Sequence, residues 1–418
     1  MLHSIWNPLL WQQYPRELVK ALEITAQERA ISPGMFNNIP GMDTSEDGAA
    51  EPATILDDEI LALKRYFAHT RDPCYQLVNL FTYLGRDFYA SPNIKQNLIL
   101  TLFAGIEHME NRHLKRFIPV VMQPLMLQCP PDLHRTFLYD MLPFFLNFIV
   151  ARLEKDWKSV AEKGSVMTEE DEGDGEDVSD EIVAERLLRD ATRKVADLYG
   201  VIFQTPLPEK SSKDDIKNPT APALTHQDLV VFLVSSDIGA TFLKILLYLI
   251  TVKDTTTSNK ILKLCSKIAP ILGHTPALQA WFGKDVLMKA LEALHDGYLE
   301  ACHVEAVALI AQIYITVRPT SRISYETMLN IPGMDVRALD DFETQLGQKS
   351  TLKEQTAVVK LFLNNIRGLA VSQWGKQKES FILNQTEKAL LTKPAADSHA
   401  SDVLENEHGD AGIGALFD

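Results

Sequence analysis

RHLKRFIPVVMQPLMLQCPPDLHRTFLYDMLPFFLNFIVARLEKDW, residues 112–157, carries two apolar runs separated by CPPD. In the second run Leu133, Phe137, Met141, Phe144, Phe148 and Ile149 recur at steps of three and four. That spacing places them on one face of an α-helix. Asp132, Arg135, Asp140, Asn147 and Arg152 fall between them, on faces that can meet water. The first run is apolar from Phe117 to Leu127, but Pro119 and Pro124 each remove an amide donor, which predicts a kinked or short helix. Pro130-Pro131 cannot continue a helix, and Cys129 ahead of it is biased toward extended backbone. The reading is an αα-hairpin with a tight turn at CPPD. One such hairpin cannot bury both of its faces, so the rest of the chain must supply neighbours of the same kind.

The flanking sequence supplies them. Residues 16–31 read as an amphipathic helix, and residues 54–90 as two helices broken near Asp72-Pro73. Ser91-Pro92 signals another helix start, leading into residues 93–111. Beyond the hairpin come EIVAERLLRDATRKVADLYGVIFQ (181–204), a proline-rich polar loop at 205–224, and five more helical stretches between His226 and Arg318. Weaker helical segments follow at 321–330, 334–347, 351–371 and 376–391. No segment alternates with a period of two between hairpin turns. The fold class expected is all-α: a HEAT or armadillo-like solenoid of antiparallel helix pairs, with a compact helical bundle as the rival. Its divisions are helical repeats over 1–162, an acidic loop at 163–181, further repeats over 182–391 and an acidic tail at 392–418.

The 418 residues carry a formal charge of −15. Residues 169–181 hold nine acids and residues 397–418 six, with no base in either, and these fifteen acids account for the whole imbalance. The remaining body is neutral, so a basic face for RNA stays open. Four widely spaced cysteines, none in a CxxC pair, read as buried reduced thiols. Met1 is followed by no signal-peptide pattern. The most apolar window, Leu229 to Val252, contains Asp237 and Lys244, each of which costs roughly 2.5–3.5 kcal/mol at a bilayer centre. The expectation is therefore a soluble intracellular protein without membrane insertion.

Catalytic motifs are lacking: the chain has no GxxxxGK[ST], HExxH or GxSxG. His108 and His113 are five residues apart, on different helical faces, and Asp57-Asp58-Glu59 suits a solvated first helical turn better than a cation site. No enzyme, metal or cofactor is expected. Three binding candidates remain. Lys260, Lys263 and Lys267 form a basic stripe opposite Ile261, Leu264 and Ile268, suited either to phosphate contact or to plain solvation. Arg112, Lys115 and Arg116 form a second basic cluster. Glu169, Glu170, Asp171 and Glu172 open the acidic loop, which either stays solvated or contacts a basic partner. In the tail, Ile413, Leu416 and Phe417 interrupt an acidic run, as a frayed end or as a hydrophobic hook.

In ordered succession, residues 116–157, the acidic insert, ERLLRDATRKVADL (185–198), AQIYITVRP (311–319), YETMLNIPGM (325–334) and the ending GIGALFD resemble the C-terminal region of the exportin-five group of nuclear export karyopherins. The resemblance covers nearly the whole chain. It implies an importin-β-like HEAT receptor that shuttles between nucleus and cytoplasm as a monomer. It also implies Ran-GTP, bound mostly through amino-terminal repeats that this chain lacks, nuclear pore proteins and cargo as partners, the cargo being structured RNA such as tRNA or hairpin precursors, or phosphorylated protein. RNA would be held by its backbone on a basic inner surface. Members are far longer than this chain, which corresponds to their last third. A helical-repeat scaffold without a transport role is the alternative.

Overall fold

The structure, a computed structural model, describes residues 55–163, 180–205, 224–331, 333–351 and 353–364. The expected helices at 16–31 and 376–391, the acidic segment with Glu169, Glu170, Asp171 and Glu172, the 205–224 loop (apart from its end residues) and the acidic tail lie outside the described residues. Among the described residues there are helices and turns but no strand.

The hairpin forms as expected at its turn. Its first arm is continuous: α4 (Asn111–Phe117), a π-helical turn (Ile118–Met122) and α5 (Gln123–Leu127). Pro119 therefore does not shorten the helix, because it falls in the wider π turn, where its ring is relieved of the usual clash with the carbonyl four residues back. Pro124 stands in the first turn of α5. After Pro130, whose ψ of 139° is extended, a 3-10 turn (Pro131–Leu133) and a π turn (His134–Leu138) lead into α6 (Tyr139–Lys163). His134 bridges the turn, its Nε2 lying 3.0 Å from the Cys129 carbonyl.

The buried ridge of α6 differs from the expected one at a telling place. Phe137, Met141, Phe145, Ile149, Leu153 and Trp157 are buried in strict steps of four, with Leu138, Leu142 and Leu146 beside them. Phe144, three past Met141, falls off that ridge, is 49% exposed and stacks on Phe103 at 6.3 Å. A steps-of-four ridge seats in the groove of a neighbouring helix, whereas a mixed three-and-four pattern keeps a straight face. The neighbours, not the local pattern, chose the ridge.

Other boundaries also moved. α1 (Ile55–Thr82) runs unbroken through Pro73, with Tyr75 fully buried against Phe117 at 5.6 Å. One lost amide bond is outweighed by that packing. After the short α2 (Arg86–Tyr89), Pro92 lies in a turn, and α3 (Ile94–Leu98) starts two residues later behind Asn93, whose φ is +61°. α3 extends through a π turn (Ile99–Phe103) and stops at Gly105, whose φ of +72° favours glycine.

Thereafter the helices follow the sequence closely: α7 (Asp180–Ile202), α8 (Gln227–Ser235), α9 (Gly239–Ile250) and α10 (Thr255–Leu272). α11 (Pro276–Ala280) passes through a π turn (Trp281–Val286) into α12 (Leu287–His295). A 3-10 turn (Gly297–Cys302) precedes α13 (His303–Val317), followed by α14 (Ile323–Leu329), α15 (Val336–Gly347) and α16 (353–364). Two rows emerge. α4, α7, α10 and α13 pack in succession along one layer, and α6, α9 and α12 along the other. Paired rungs, α6 with α7, α9 with α10 and α12 with α13, join the layers around one continuous apolar core. This is a helical-repeat solenoid.

Cys129, Cys265 and Cys302 are buried and Cys74 is half-buried, none in a disulfide. The apolar window at Leu229–Val252 is broken between α8 and α9, which bend by 101°. By length and composition, Pro131–Lys163 and Gly297–Val317 are long and apolar enough to cross a membrane, and half of each window is buried inside the fold.

The ridge makes a paired prediction. Phe145→Ala should cost about 3–5 kcal/mol through cavity formation, and Phe144→Ala only about 1 kcal/mol, from the loss of one aromatic contact. Denaturant melts followed by circular dichroism check the order; a larger loss at Phe144 would contradict the ridge.

Candidate binding surface

The two basic clusters sit on the same layer, α4 and α10 being separated by α7. In the first, Arg112 Nε reaches Glu110 at 2.5 Å, Lys115 Nζ reaches Asp190 of α7 at 3.2 Å, and Arg116 Nε reaches Asp72 of α1 at 3.3 Å. Asp72 also takes Arg71 Nε at 2.9 Å. Arg71 further donates from Nη1 to His113 Nδ1 at 2.6 Å, so that ring nitrogen is the unprotonated one. Burial, with the guanidiniums of Arg71 and Arg112 adding to it, holds His113 well below the usual imidazole range. The cluster thus ties α4 to α1 and α7.

The stripe on α10 behaves alike. Lys260 pairs with Asp197 of α7, which also holds Lys194 at 3.1 Å, and Lys263 reaches Glu305 of α13 at 3.4 Å. Burial pushes the Asp197 carboxyl up, but Lys260 and Lys194 outweigh it and hold it below the ordinary carboxylate value. Lys267 is exposed and makes no ion pair among the described residues. Of the six proposed cations, five therefore face carboxylates. Lys260, Lys263 and Arg116 remain about half exposed, at 48%, 53% and 49%. Exposed pairs of this kind are worth roughly 0.2–1 kcal/mol, so a phosphate can compete for them.

Between the clusters lies a polar core that the sequence reading did not single out. Asp254, 1% exposed, caps α10 by accepting from the Thr257 amide at 3.1 Å and its hydroxyl at 2.5 Å. Arg193 grips the same carboxylate at 2.9 and 3.2 Å, and Arg189 approaches it at 3.5 Å. Arg189 also binds Glu185 at 2.7 Å, donates to the Tyr298 hydroxyl at 3.1 Å and lies 5.7 Å from the Trp157 ring. The signals were legible: Glu185, Arg189 and Arg193 at steps of four, and an aspartate ahead of Thr255-Thr256-Thr257. His108 and His113 sit in separate elements, and among the described residues no three His, Cys, Asp or Glu side chains gather as metal ligands.

Comparison with known proteins adds the family context. The Exportin-5 family model matches residues 1–378. Protein HASTY 1 of Arabidopsis thaliana is 24% identical over 432 aligned positions, covering 97% of this chain and 35% of that protein. Exportin-5 of Homo sapiens is 24% identical over 442 positions, covering 100% of this chain and 35% of its own length. Exportin-5 of Dictyostelium discoideum is 22% identical over 330 positions, covering 79% and 26%. The chain spans about a third of the length of the curated relatives it matches most extensively.

His113 sets the pH prediction. Its folded pKa lies below the unfolded value near 6.5, so below pH 6.5 only the unfolded chain takes up the proton. Stability present above pH 6.5 is then lost as pH falls toward the folded pKa, by about 1.4 kcal/mol per pH unit. Burial lowers His134 and His226 in the same direction. Denaturant midpoints between pH 7.5 and 5 should show His113→Gln reducing the slope; an unchanged slope would mean that His113 is protonated in the fold.

Proposed function

Because the chain belongs to the exportin-5 family, we propose that it forms the carboxy-terminal part of a nuclear export receptor. The observation that carries this reading is the family match over residues 1–378, on a solenoid of the class such receptors use. The receptor binds cargo together with Ran-GTP in the nucleus, passes the pore by contact with pore proteins and releases both in the cytoplasm. It works by reversible binding rather than catalysis, as a monomer that does not enter the membrane. Its cargo is structured RNA, such as tRNA or hairpin precursors, or phosphorylated protein.

In this reading Lys260, Lys263, Lys267, Arg112, Lys115 and Arg116 offer their charge to cargo phosphates, exchanging carboxylate partners for phosphate as the cargo docks. Glu169, Glu170, Asp171 and Glu172 contact a basic partner surface. The pairing of five of these cations within the fold supports a structural role for them, and a scaffold that bridges proteins without transport is the second reading.

Two measurements separate the readings. A full-length receptor carrying this chain should retain hairpin RNA or phosphoprotein cargo with Ran-GTP and lose it with Ran-GDP; equal retention would end the export reading. Lys267→Ala removes a cation without breaking an ion pair, and should lower the log–log salt slope of RNA binding by about 1. The Lys260, Lys263 and Lys267→Glu triple variant should weaken binding further. An unchanged slope and affinity in both would remove the stripe from the cargo surface.

A further inference from the structure

Given that α4 and α10 face cargo phosphates, as proposed above, we infer that Asp72 and Asp197 are built-in competitors for that surface. Each yields one cation to an RNA phosphate and recaptures it when the phosphate leaves, which limits affinity and speeds release.

The two carboxylates are placed alike on different helices. Asp72 of α1 holds Arg71 of its own helix on Oδ1 at 2.9 Å, and Arg116 of α4 on Oδ2 at 3.3 Å. Asp197 of α7 holds Lys194 of its own helix on Oδ2 at 3.1 Å, and Lys260 of α10 on Oδ1. Each thus divides its two oxygens between a cation on its own helix and one on the next. In both pairs the cation from the next helix is more exposed than the carboxylate, 49% against 32% for Arg116 and 48% against 33% for Lys260. An incoming phosphate therefore meets the cation first. Drawing that cation away does not strand a charge, because the own-helix cation remains on the carboxylate. Arg71 is itself anchored inward on His113 Nδ1 at 2.6 Å. Glu305, by contrast, holds only Lys263 among the described residues.

A carboxylate tethered beside each cation is an intramolecular competitor, present at an effective concentration of about millimolar or more. It removes little from a polyanion already held at several points, but it retakes each cation as its phosphate lets go. The seam of α1 with α4 and the seam of α7 with α10 lie about two helix spacings apart, roughly 16–20 Å. A regular chain of phosphates spans both at once, whereas a phosphate standing alone reaches one, so the arrangement suits RNA.

Dissociation of a labelled hairpin RNA from the full chain, measured across a salt series, tests this. Asp72→Asn and Asp197→Asn keep size and hydrogen bonding while removing charge, and each is measured alone as well as together. Each should slow dissociation severalfold and steepen the log–log salt slope by about 0.9, since a cation freed of its carboxylate counts fully against phosphate. Glu154→Gln, which frees Lys244 on the other layer, should change neither. Unchanged rate and slope in the Asn variants, with Lys267→Ala still lowering the slope, would overturn the competitor role and leave the cargo surface standing. No response in any of these variants would overturn both. Faster dissociation in the Asn variants would mean that the carboxylates hold the cations in place for RNA, and would also overturn the inference. So would an equal slowing by Glu154→Gln, which would assign the effect to net charge, or a change seen with a phosphorylated peptide and not with RNA.

Discussion

The carboxylate of Asp254 is shut almost completely inside this solenoid, with that of Glu185 buried in the same cluster, and the register of one whole layer turns on it. Burying a charge costs several kcal/mol unless opposite charge and hydrogen bonds replace water. Here an amide and a hydroxyl of Thr257 and the guanidiniums of Arg193 and Arg189 replace it. Through Arg189 the same cluster reaches Trp157 on α6 and Tyr298 ahead of α13. Apolar ridges alone pack nearly as well when displaced by one helical turn. The ion cluster fits in one alignment only, and so fixes α7 against α10 and both against their neighbours.

Hydrogen bonds donated by aromatic side chains extend the same logic to the other joints. Trp157 Nε1 donates to the Thr192 hydroxyl at 3.0 Å, joining α6 to α7. Tyr248 donates to the Leu153 carbonyl at 3.1 Å, joining α9 to α6, and Tyr199 donates to the Phe242 carbonyl at 2.6 Å, joining α7 to α9. Each of these aromatic side chains brings a large apolar body and one polar atom to a helix–helix seam, so burial and alignment come from the same residue. The basic residues of α4 and α10 continue this pattern at the surface. Arg116 with Asp72, Lys115 with Asp190, and Lys263 with Glu305 join neighbouring helices while keeping charge within reach of solvent.

Much of this was readable before any coordinates. The helical period from His226 to Arg318 placed five segments within a few residues of their observed bounds, because strong periodicity there coincides with clear stops such as Pro319. Proline misled elsewhere. Pro73 and Pro119 look like breaks one residue at a time, yet a widened turn or a buried aromatic nearby offsets the missing bond. Phe144 and Phe145 are alike in chemistry, and only the groove they meet decides which is buried. For the binding surface, residue type and spacing found the cations but not their partners. Asp72, Asp190, Asp197 and Glu305 lie between 42 and 75 positions away in sequence, a separation that no local pattern encodes.

In the function proposed above, this chain works as the last part of a long transport receptor. The size of the endogenous protein tests that most directly, using an antibody raised against residues 271–320, which span parts of α10 to α13. The claim predicts a band far above the 46.9 kDa of this chain. A band near 46.9 kDa with no larger species would contradict it, and would make a free-standing helical scaffold the better description.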